Sequence, residues 1–410
     1  MPMKYVKLLF AYIALSALQG ISVQARTLVI NSDASDPAPK KAWAEIVERF
    51  EKANPEIEIK YNIYEHESYK TTIRNWLLTS PPDVVFWYAG NRMKAFVERG
   101  LFEDVSDIWQ DNNMMQDFAS TASAMTVNGK QYGVPYTYYQ WGIYYRKDIF
   151  DKHGITEPKT WDELKAASAK LKENDITPFT IGTKYLWTAA GWFDYLNLRT
   201  NGLEFHMQLM DGKIPYTDDR VKKIFANWAE LVEPGYYLIN HASYSWQEAQ
   251  PFLYNGQAAM YLMGNFITPN FPEELDGKMG FFQFPVIDPT VGLAEDAPMD
   301  TLHIPSKAKN KADARLFLEF VARAENQQLI NELLLQIPTN SKAKAKPDPF
   351  LDKGVAMLAA SDGTAQLYDR DTAPAMAKEG MKGFQEFMLH PDSIETILER
   401  LEETRVRTFK

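Results

Sequence analysis

Side chains able to hydrogen-bond a ligand or to stack on one follow three predicted strands near the start of the chain. The strands cover 27–30, 57–63 and 83–88. In sheets of parallel strands, ligands bind beyond the carboxyl ends of the strands. Carboxylate, imidazole and amide groups exchange hydrogen bonds with a ligand, and aromatic rings offer it a flat apolar surface. We therefore predict one binding site formed by Asp33, His66, Trp87, Tyr88 and Asn91.

Each of these side chains also has a purely structural explanation. Asp33 would form a turn, and Asn91 would cap the helix that follows it. Trp87 and Tyr88 would pack in the core, and His66 would lie in a solvated loop. The sequence leaves both interpretations open for all five residues.

A second group of candidates lies further along the chain. Trp187, Trp192 and Asp194 fall in a short segment where aromatic rings stand beside small residues. Such a segment forms either the wall of a shaped pocket or a helix start with packed tryptophans. Arg370 stands between two aspartates, and its planar fork suits adjacent hydroxyl groups unless it pairs with one of those aspartates instead.

An aromatic strand is predicted over 136–145. Because successive strand residues face opposite sides, Tyr138 and Gln140 share one face, and Tyr139 and Trp141 share the other. Which face meets a ligand is left open by the sequence.

Composition excludes several classes of chemistry. The 410 residues include no cysteine, so thiolate catalysis and cysteine-ligated zinc are excluded. A formal net charge of −10, without a long basic run, argues against nucleic acid and anionic membrane surfaces as partners. No G-x-S-x-G, H-E-x-x-H or Walker motif occurs. We expect no cofactor and no metal ion.

The elements that would position these residues alternate between strand and helix. Helices are predicted over 161–172, 219–232, 311–335 and 394–405, with a short strand over 301–304. Such alternation is typical of a mostly parallel sheet covered by helices. The order predicts an α/β protein of two lobes, with the chain crossing between them more than once.

The first 25 residues have the organisation of a secretory signal peptide. Lys4 and Lys7 precede an apolar run over 8–18, which is too short to span a bilayer. We predict cleavage after Ala25 and a mature protein outside the cytoplasm.

Short motifs occur in a characteristic order over nearly the whole remaining chain. They are 80–85 (SPPDVV), 129–135 (GKQYGVP), 144–150 (YYRKDIF), 158–164 (PKTWDEL), 255–260 (NGQAAM), 304–307 (IPSK) and 337–340 (IPTN). In this order they resemble the solute-binding proteins of ABC importers, in the sugar-binding branch that includes the maltose- and glycerol-3-phosphate-binding proteins.

The resemblance implies a fold, a ligand and partners. The fold is the two-lobed periplasmic binding protein fold (type II), in which a hinge joins two α/β lobes that close on a ligand. The implied ligand is a mono- or oligosaccharide, whose C–H faces stack on aromatic rings and whose hydroxyls bind planar polar groups. The implied partners are the membrane permease subunits of an ABC importer. We expect a monomer in the periplasm.

The resemblance also implies lobe boundaries and further site residues. The N-terminal lobe is expected over 26–135 with about 301–340, and the C-terminal lobe over 136–300 with about 341–410. Asn265 stands where many relatives carry a stacking tryptophan, which leaves the size of the ligand open. The family's contact positions fall on Asp33, Tyr138, Gln140, Asn265, Asp300 and Thr301.

The alternative is a secreted carbohydrate-active enzyme such as a glycosidase. Such an enzyme needs two carboxylates flanking one bond, and their separation is not visible in the sequence. Because no catalytic motif occurs, we expect a binding protein without catalytic residues.

Overall fold

The computed structural model describes residues 26–410. The predicted signal peptide covers residues 1–25 and lies outside the described residues. The strands are β1 (Arg26–Ser32), β2 (Ile57–Ile63), β3 (Val84–Tyr88), β4 (Thr126–Val127), β5 (Lys130–Gln131), β6 (Val134–Tyr138), β7 (Trp141–Arg146), β8 (Thr177–Phe179), β9 (Ala258–Gly264), β10 (Met279–Phe282), β11 (Glu295–Asp296), β12 (Met299–His303) and β13 (Thr364–Ala365).

Helices surround these strands, and no helix of residues 26–410 is long and apolar enough to cross a membrane. The helices are α1 (Pro37–Ala53), α2 (His66–Thr79), α3 (Asn91–Val97), α4 (Ser106–Asp111), α5 (Met114–Asp117), α6 (Lys147–Lys152), α7 (Trp161–Glu173), α8 (Trp187–Met210), α9 (Asp219–Val232), α10 (Gln250–Tyr254), α11 (Lys311–Ala322), α12 (Ala324–Leu334), α13 (Pro349–Ala360), α14 (Tyr368–Asp371), α15 (Pro374–Leu389) and α16 (Ile394–Thr408).

Two separate larger sheets organise the two lobes. The first has the strand order β2-β1-β3-β12-β6, and the second has the order β10-β7-β9-β8. β1 is parallel to β2 and β3, whereas β12 is antiparallel to β3 and β6. In the second sheet, β8 is parallel to β9, and β7 is antiparallel to β9 and β10.

The two-lobed α/β class is therefore confirmed, and each sheet is mostly parallel with one reversed strand, which is β12 in the first sheet and β7 in the second. The reason lies in the connections. Neighbouring parallel strands need a crossover connection, usually a helix, as between β1 and β2. The chain instead forms the second sheet before it returns to the first as β12. β12 can therefore lie antiparallel to its neighbours.

Each sheet has an apolar core of its own. In the first, the ring of Trp43 on α1 stands edge-on to Phe86 and Tyr136, with centroids 4.6 and 4.9 Å apart. In the second, Trp192 on α8 contacts Phe179 with a centroid distance of 4.9 Å. Two cores on two sheets allow the lobes to move as separate bodies about the strands that join them.

The aromatic segment predicted as one strand over 136–145 forms two strands in different sheets. β6 pairs with β12 in the first sheet, and β7 pairs with β9 in the second. The chain passes between the sheets at Tyr139 and Gln140. A second passage follows β11 and leads to β12. The lobe boundaries proposed from the sequence stay predictions.

The predicted helices over 161–172, 219–232 and 394–405 correspond to α7, α9 and α16. α7 begins with a capping box, in which Thr160 accepts from the Glu163 amide at 3.3 Å and Glu163 accepts from the Thr160 amide at 3.1 Å. The single helix predicted over 311–335 is divided into α11 and α12, because Arg323 takes an extended conformation (φ −62°, ψ 141°).

Candidate functional site

A cavity of about 140 Å³ lies between the two sheets. The first lobe contributes the loop after β1, the start of α2 and the end of β3. The second lobe contributes the starts of β7 and α8 and the segment after β9. Seven of the residues predicted from the sequence line it: Asp33, His66, Trp87, Tyr88, Trp187, Asp300 and Arg370.

Strand order explains why distant parts of the chain meet there. β1 and β3 are parallel neighbours, with Ile30 opposite Val84, so Asp33 and Tyr88 reach the same edge of the sheet. β12 runs the other way and places Asp300 opposite Tyr88. The carboxyl edge of the first sheet is therefore polar.

Asp33, His66 and Tyr88 form a triangle of hydrogen bonds in the first lobe. His66 Nδ1 lies 3.2 Å from Asp33 Oδ2, and the Tyr88 hydroxyl lies 3.3 Å from His66 Nε2 and 3.4 Å from Asp33 Oδ2. Burial alone would raise the pKa of the Asp33 carboxyl, but hydrogen bonding and the charge of His66 hold the pKa below its usual value. Burial alone would lower the pKa of His66, but Asp33 raises that pKa above its usual value.

Arg370 on α14 connects three parts of the cavity wall. Its Nη1 donates to Asp300 Oδ1 at 3.0 Å and to the Met299 carbonyl at 3.2 Å, and its Nη2 donates to the Tyr139 hydroxyl at 3.1 Å. The guanidinium lies 4.0 Å from the centre of the Tyr88 ring. Burial alone would lower the pKa of Arg370, but Tyr139 and the neighbouring carboxylates raise it.

The partner of Arg370 is Asp300, not either of the aspartates beside it in the sequence. Asp369 pairs with Arg92 at 3.2 Å, and its pKa is lowered because Arg92 and other cations outweigh the effect of burial. Burial raises the pKa of the Asp300 carboxyl, although Arg370 opposes this shift. These bonds use the Nη1 group and one Nη2 hydrogen of the five N–H donors of Arg370.

Four aromatic side chains from the second lobe form the opposite wall. Trp187 stands edge-on to Trp141, Phe266 and Trp246, with centroid distances of 6.0, 6.2 and 6.4 Å. Trp246 and Phe266 lie 5.1 Å apart. We call this set, Trp141, Trp187, Trp246 and Phe266, the aromatic wall. It supplies apolar faces across from the polar residues of the first lobe.

Contacts between the lobes surround the cavity. Trp187 Nε1 donates to Glu67 Oε1 at 3.1 Å, and Gln247 Nε2 donates to Asp36 Oδ1 at 3.4 Å. The Arg92–Asp369 ion pair provides a third connection, between α3 and α14. The structure is therefore that of lobes already closed on each other.

Trp192 and Asp194 do not reach the cavity. Trp192 is fully buried in the second core against Phe179, Tyr237 and Phe284, so it packs in the helix instead of forming a pocket wall. Asp194 is also fully buried, and it accepts from the Tyr368 amide at 2.7 Å. Burial raises its pKa well above the usual value, as does the nearby Asp296.

Tyr138 and Gln140, the contact positions that the resemblance implied on the aromatic segment, are also not the residues at the cavity. Tyr139 and Trp141 line it, whereas Tyr138 exchanges backbone hydrogen bonds with Ile337 and Gln140 Nε2 donates to the Phe350 carbonyl at 3.2 Å. The alternation expected from the sequence therefore holds for these four residues, and the face of Tyr139 and Trp141 is the one at the cavity.

Three further candidates lie outside the cavity lining. Asn91 begins α3 and donates to the Asp371 carbonyl, which ties the lobes together. Asn265 accepts from the Tyr144 hydroxyl at 2.7 Å and donates to the Leu335 carbonyl. Thr301 pairs with His303 at 2.6 Å, inside the sheet. Each of their side chains makes a hydrogen bond within the protein, and their contacts with a ligand stay predictions.

Some lining residues were not predicted. Tyr139 and Trp141 carried a signal, because alternation marked them as the other face of the segment. Trp246, Phe266 and Lys70 also line the cavity and were not among the residues predicted from the sequence. Within residues 26–410, no cluster of His, Cys, Asp or Glu could hold a metal ion.

The fold and the cavity define a two-lobed solute-binding protein, and comparison with known proteins gives its family. A model of the bacterial extracellular solute-binding protein family matches residues 34–328, and the chain belongs to this family. An uncharacterized ABC transporter extracellular-binding protein of Pyrococcus horikoshii is 30% identical over 79% of this chain and 74% of its own length. The multiple sugar-binding protein of Streptococcus mutans is 25% identical over 69% of this chain and 68% of its own.

Solved structures have the same fold. The bacterial solute receptor AcbH, described as having an exclusive preference for β-D-galactopyranose, superposes with a TM-score of 0.88 at 29% identity, covering 94% of this chain and 99% of its own. RafE in complex with raffinose superposes with a TM-score of 0.79 at 21% identity, covering 94% of this chain and all of its own. By these descriptions the relatives are solute- or sugar-binding proteins, and the one from Pyrococcus horikoshii is an extracellular-binding protein of an ABC transporter.

Proposed function

We propose that this protein is the sugar-binding receptor of an ABC importer, which closes its lobes on a mono- or oligosaccharide and delivers it to the permease. The observation that carries the proposal is the lining of the cavity between the lobes. Hydrogen-bonding groups such as Asp33, His66 and Arg370 line it together with the aromatic wall. A pyranose matches both, since its hydroxyls donate and accept while its C–H faces are apolar.

The geometry supports binding rather than turnover. A glycosidase needs two carboxyl groups free to act on one bond. Here Asp33 is engaged by His66, Asp300 by Arg370 and Asp369 by Arg92. Because each of these carboxyls already has a cationic partner, we propose that the protein has no catalytic activity and releases its sugar unchanged.

The proposal includes the place of action. The family is extracellular, and the sequence begins with the pattern of a signal peptide. We propose that cleavage after Ala25 releases a monomer into the periplasm, where it meets the permease subunits. N-terminal sequencing of the exported protein and its elution in size-exclusion chromatography test these two points.

A thermal-shift screen over sugars, amino acids and polyols, followed by calorimetry, tests the main proposal. We expect one class of sugar to bind with a Kd in the micromolar range or tighter, about −8 kcal/mol. The sugar recovered from the complex should be chemically unchanged. Saturable binding of another solute class without any sugar, or steady consumption of the sugar, would contradict the proposal.

A further inference from the structure

We infer that the cavity takes a single pyranose ring, and that the contact between Trp187 and Glu67 excludes a second one. The inference rests on the proposed sugar-binding function and specifies its ligand. Its first support is size. The cavity between the lobes has a volume of about 140 Å³. It is smaller than the pockets of about 300–1,000 Å³ that hold drug-sized molecules.

The second support is that cavity-lining residues themselves connect the lobes. Trp187, Asp36 and Asp369 line the cavity, and each bonds a residue of the opposite lobe or its flanking helix. The lobes therefore touch at the margin of the cavity and not at a distance from it. A second ring that extended from the cavity between Trp187 and Glu67 would have to break their contact.

The third support is that the Trp187–Glu67 contact is held firmly on both sides. On one side, the Trp187 ring is packed among the other rings of the aromatic wall and is 8% exposed. On the other, the Glu67 carboxylate also contacts Lys70 Nζ at 3.3 Å, and its side chain is 18% exposed. Because each partner also contacts a further residue of its own lobe, the Trp187–Glu67 contact blocks a longer ligand on this side of the cavity.

Calorimetry with monosaccharides and with disaccharides built from the same units tests the inference. We expect the wild type to bind one monosaccharide and to bind the matching disaccharides at least 100-fold more weakly. Glu67→Ala removes the contact with Trp187 and should reduce the ratio of the disaccharide Kd to the monosaccharide Kd at least tenfold. Glu67→Gln keeps an acceptor for the Trp187 N–H and should retain the wild-type ratio. Glu45→Ala is the matched control, because it removes a carboxylate that pairs with Arg49 on the exposed surface of the same lobe.

The outcomes separate the inference from the proposed function. A disaccharide that binds the wild type as tightly as its monosaccharide overturns the inference and leaves the sugar receptor intact. Binding of no sugar of either size, with binding of another solute, overturns the proposed function. If Glu67→Ala keeps the full discrimination, the role of the contact is overturned. Trp187→Phe, which loses the N–H and keeps a ring, repeats this test if Glu67→Ala does not fold.

Discussion

Arg370 contacts several residues of the cavity wall at once. It binds Asp300 and the Met299 carbonyl, and it also binds Tyr139 while stacking on Tyr88. Arg370→Lys keeps the positive charge but loses the planar fork that holds these partners and a ligand at once. We expect sugar affinity to fall at least tenfold, about 1.4 kcal/mol, as measured by calorimetry.

The control for this prediction is Arg220→Lys. Arg220 also pairs with an aspartate, Asp218, and stacks at 4.5 Å on an aromatic ring, Phe205, but it is absent from the cavity lining. The same chemical change there should leave sugar affinity unaltered. Normal binding by folded Arg370→Lys protein would remove Arg370 from the site.

The His66–Asp33 pair makes stability depend on pH in a defined direction. The folded-state pKa of His66 is raised, so its contribution is complete below about pH 6.5 and is lost as the pH rises through the folded value. The pKa of Asp33 is lowered, so its contribution exists above about pH 3.9 and is lost as the pH falls through the folded value. The wild type should therefore exceed His66→Gln in unfolding free energy by more at about pH 5.5 than at about pH 8.5.

Chemical denaturation at the two pH values measures this difference. The same His66→Gln change in an Asp33→Asn background is the control, because the partner that raises the pKa is then gone. An equal pH effect in both backgrounds would show that the pair does not cause it.

Among individual site residues, the sequence correctly predicts those that lie at or just after the end of a strand. Asp33, His66, Trp87 and Tyr88 lie at the cavity because each follows or ends a strand of one sheet. Arg370 was predicted from its type and neighbours, and Asp300 from the family resemblance. The ion pair between them was not predicted. That pairing depends on how α14 packs beside β12, which no local pattern encodes.

Helix α8 shows how one element serves both the cavity and the core. Trp187 at its first residue lines the cavity, whereas Trp192, five positions later, is buried among Phe179, Tyr237 and Phe284. Trp192→Ala should lower the free energy of unfolding by about 3–5 kcal/mol without changing the sugar affinity of the folded protein. Trp187→Ala should weaken sugar binding by about 1–3 kcal/mol.

Denaturation curves and calorimetry on both variants test this division, with each variant acting as the control of the other. A loss of affinity in folded Trp192→Ala protein equal to that of Trp187→Ala would contradict it. Sequence spacing could not separate the two tryptophans, because both stand among small and aromatic residues. What separates them is the direction in which the helix leaves the cavity.

The boundaries of helices and strands were predicted well where they depend on a local sequence pattern, as for α9. They were predicted wrongly where tertiary contacts determine where an element ends. The strand predicted over 136–145 divides between two sheets, because Tyr138 pairs through its backbone with Ile337 before the chain crosses. The helix predicted over 311–335 divides at Arg323, although its apolar pattern continues. The reversal of β12 in the first sheet, after the chain returns from the second, is not revealed by alternation of strand and helix.

For the whole molecule, closure is the property that links the cavity to transport. The two lobes have separate cores, and the polar contacts between them include Trp187–Glu67, Gln247–Asp36, Arg92–Asp369 and Asn91–Asp371. Each is a single hydrogen bond or ion pair, with a modest net contribution. A sugar that binds the polar side and the aromatic wall together adds the interaction energy that favours the closed form.

We expect the radius of gyration from small-angle scattering to decrease when a sugar that binds is added at a saturating concentration. The physical reason is that without sugar the polar contacts alone leave an open form populated, and the ligand stabilises the form in which both walls touch it. A sugar that does not bind, at the same concentration, is the control for solvent contrast. Glu67→Ala should show a larger radius than the wild type at a subsaturating sugar concentration, because it lacks one contact of the closed form. A radius that stays constant up to saturation would mean that binding does not close the lobes.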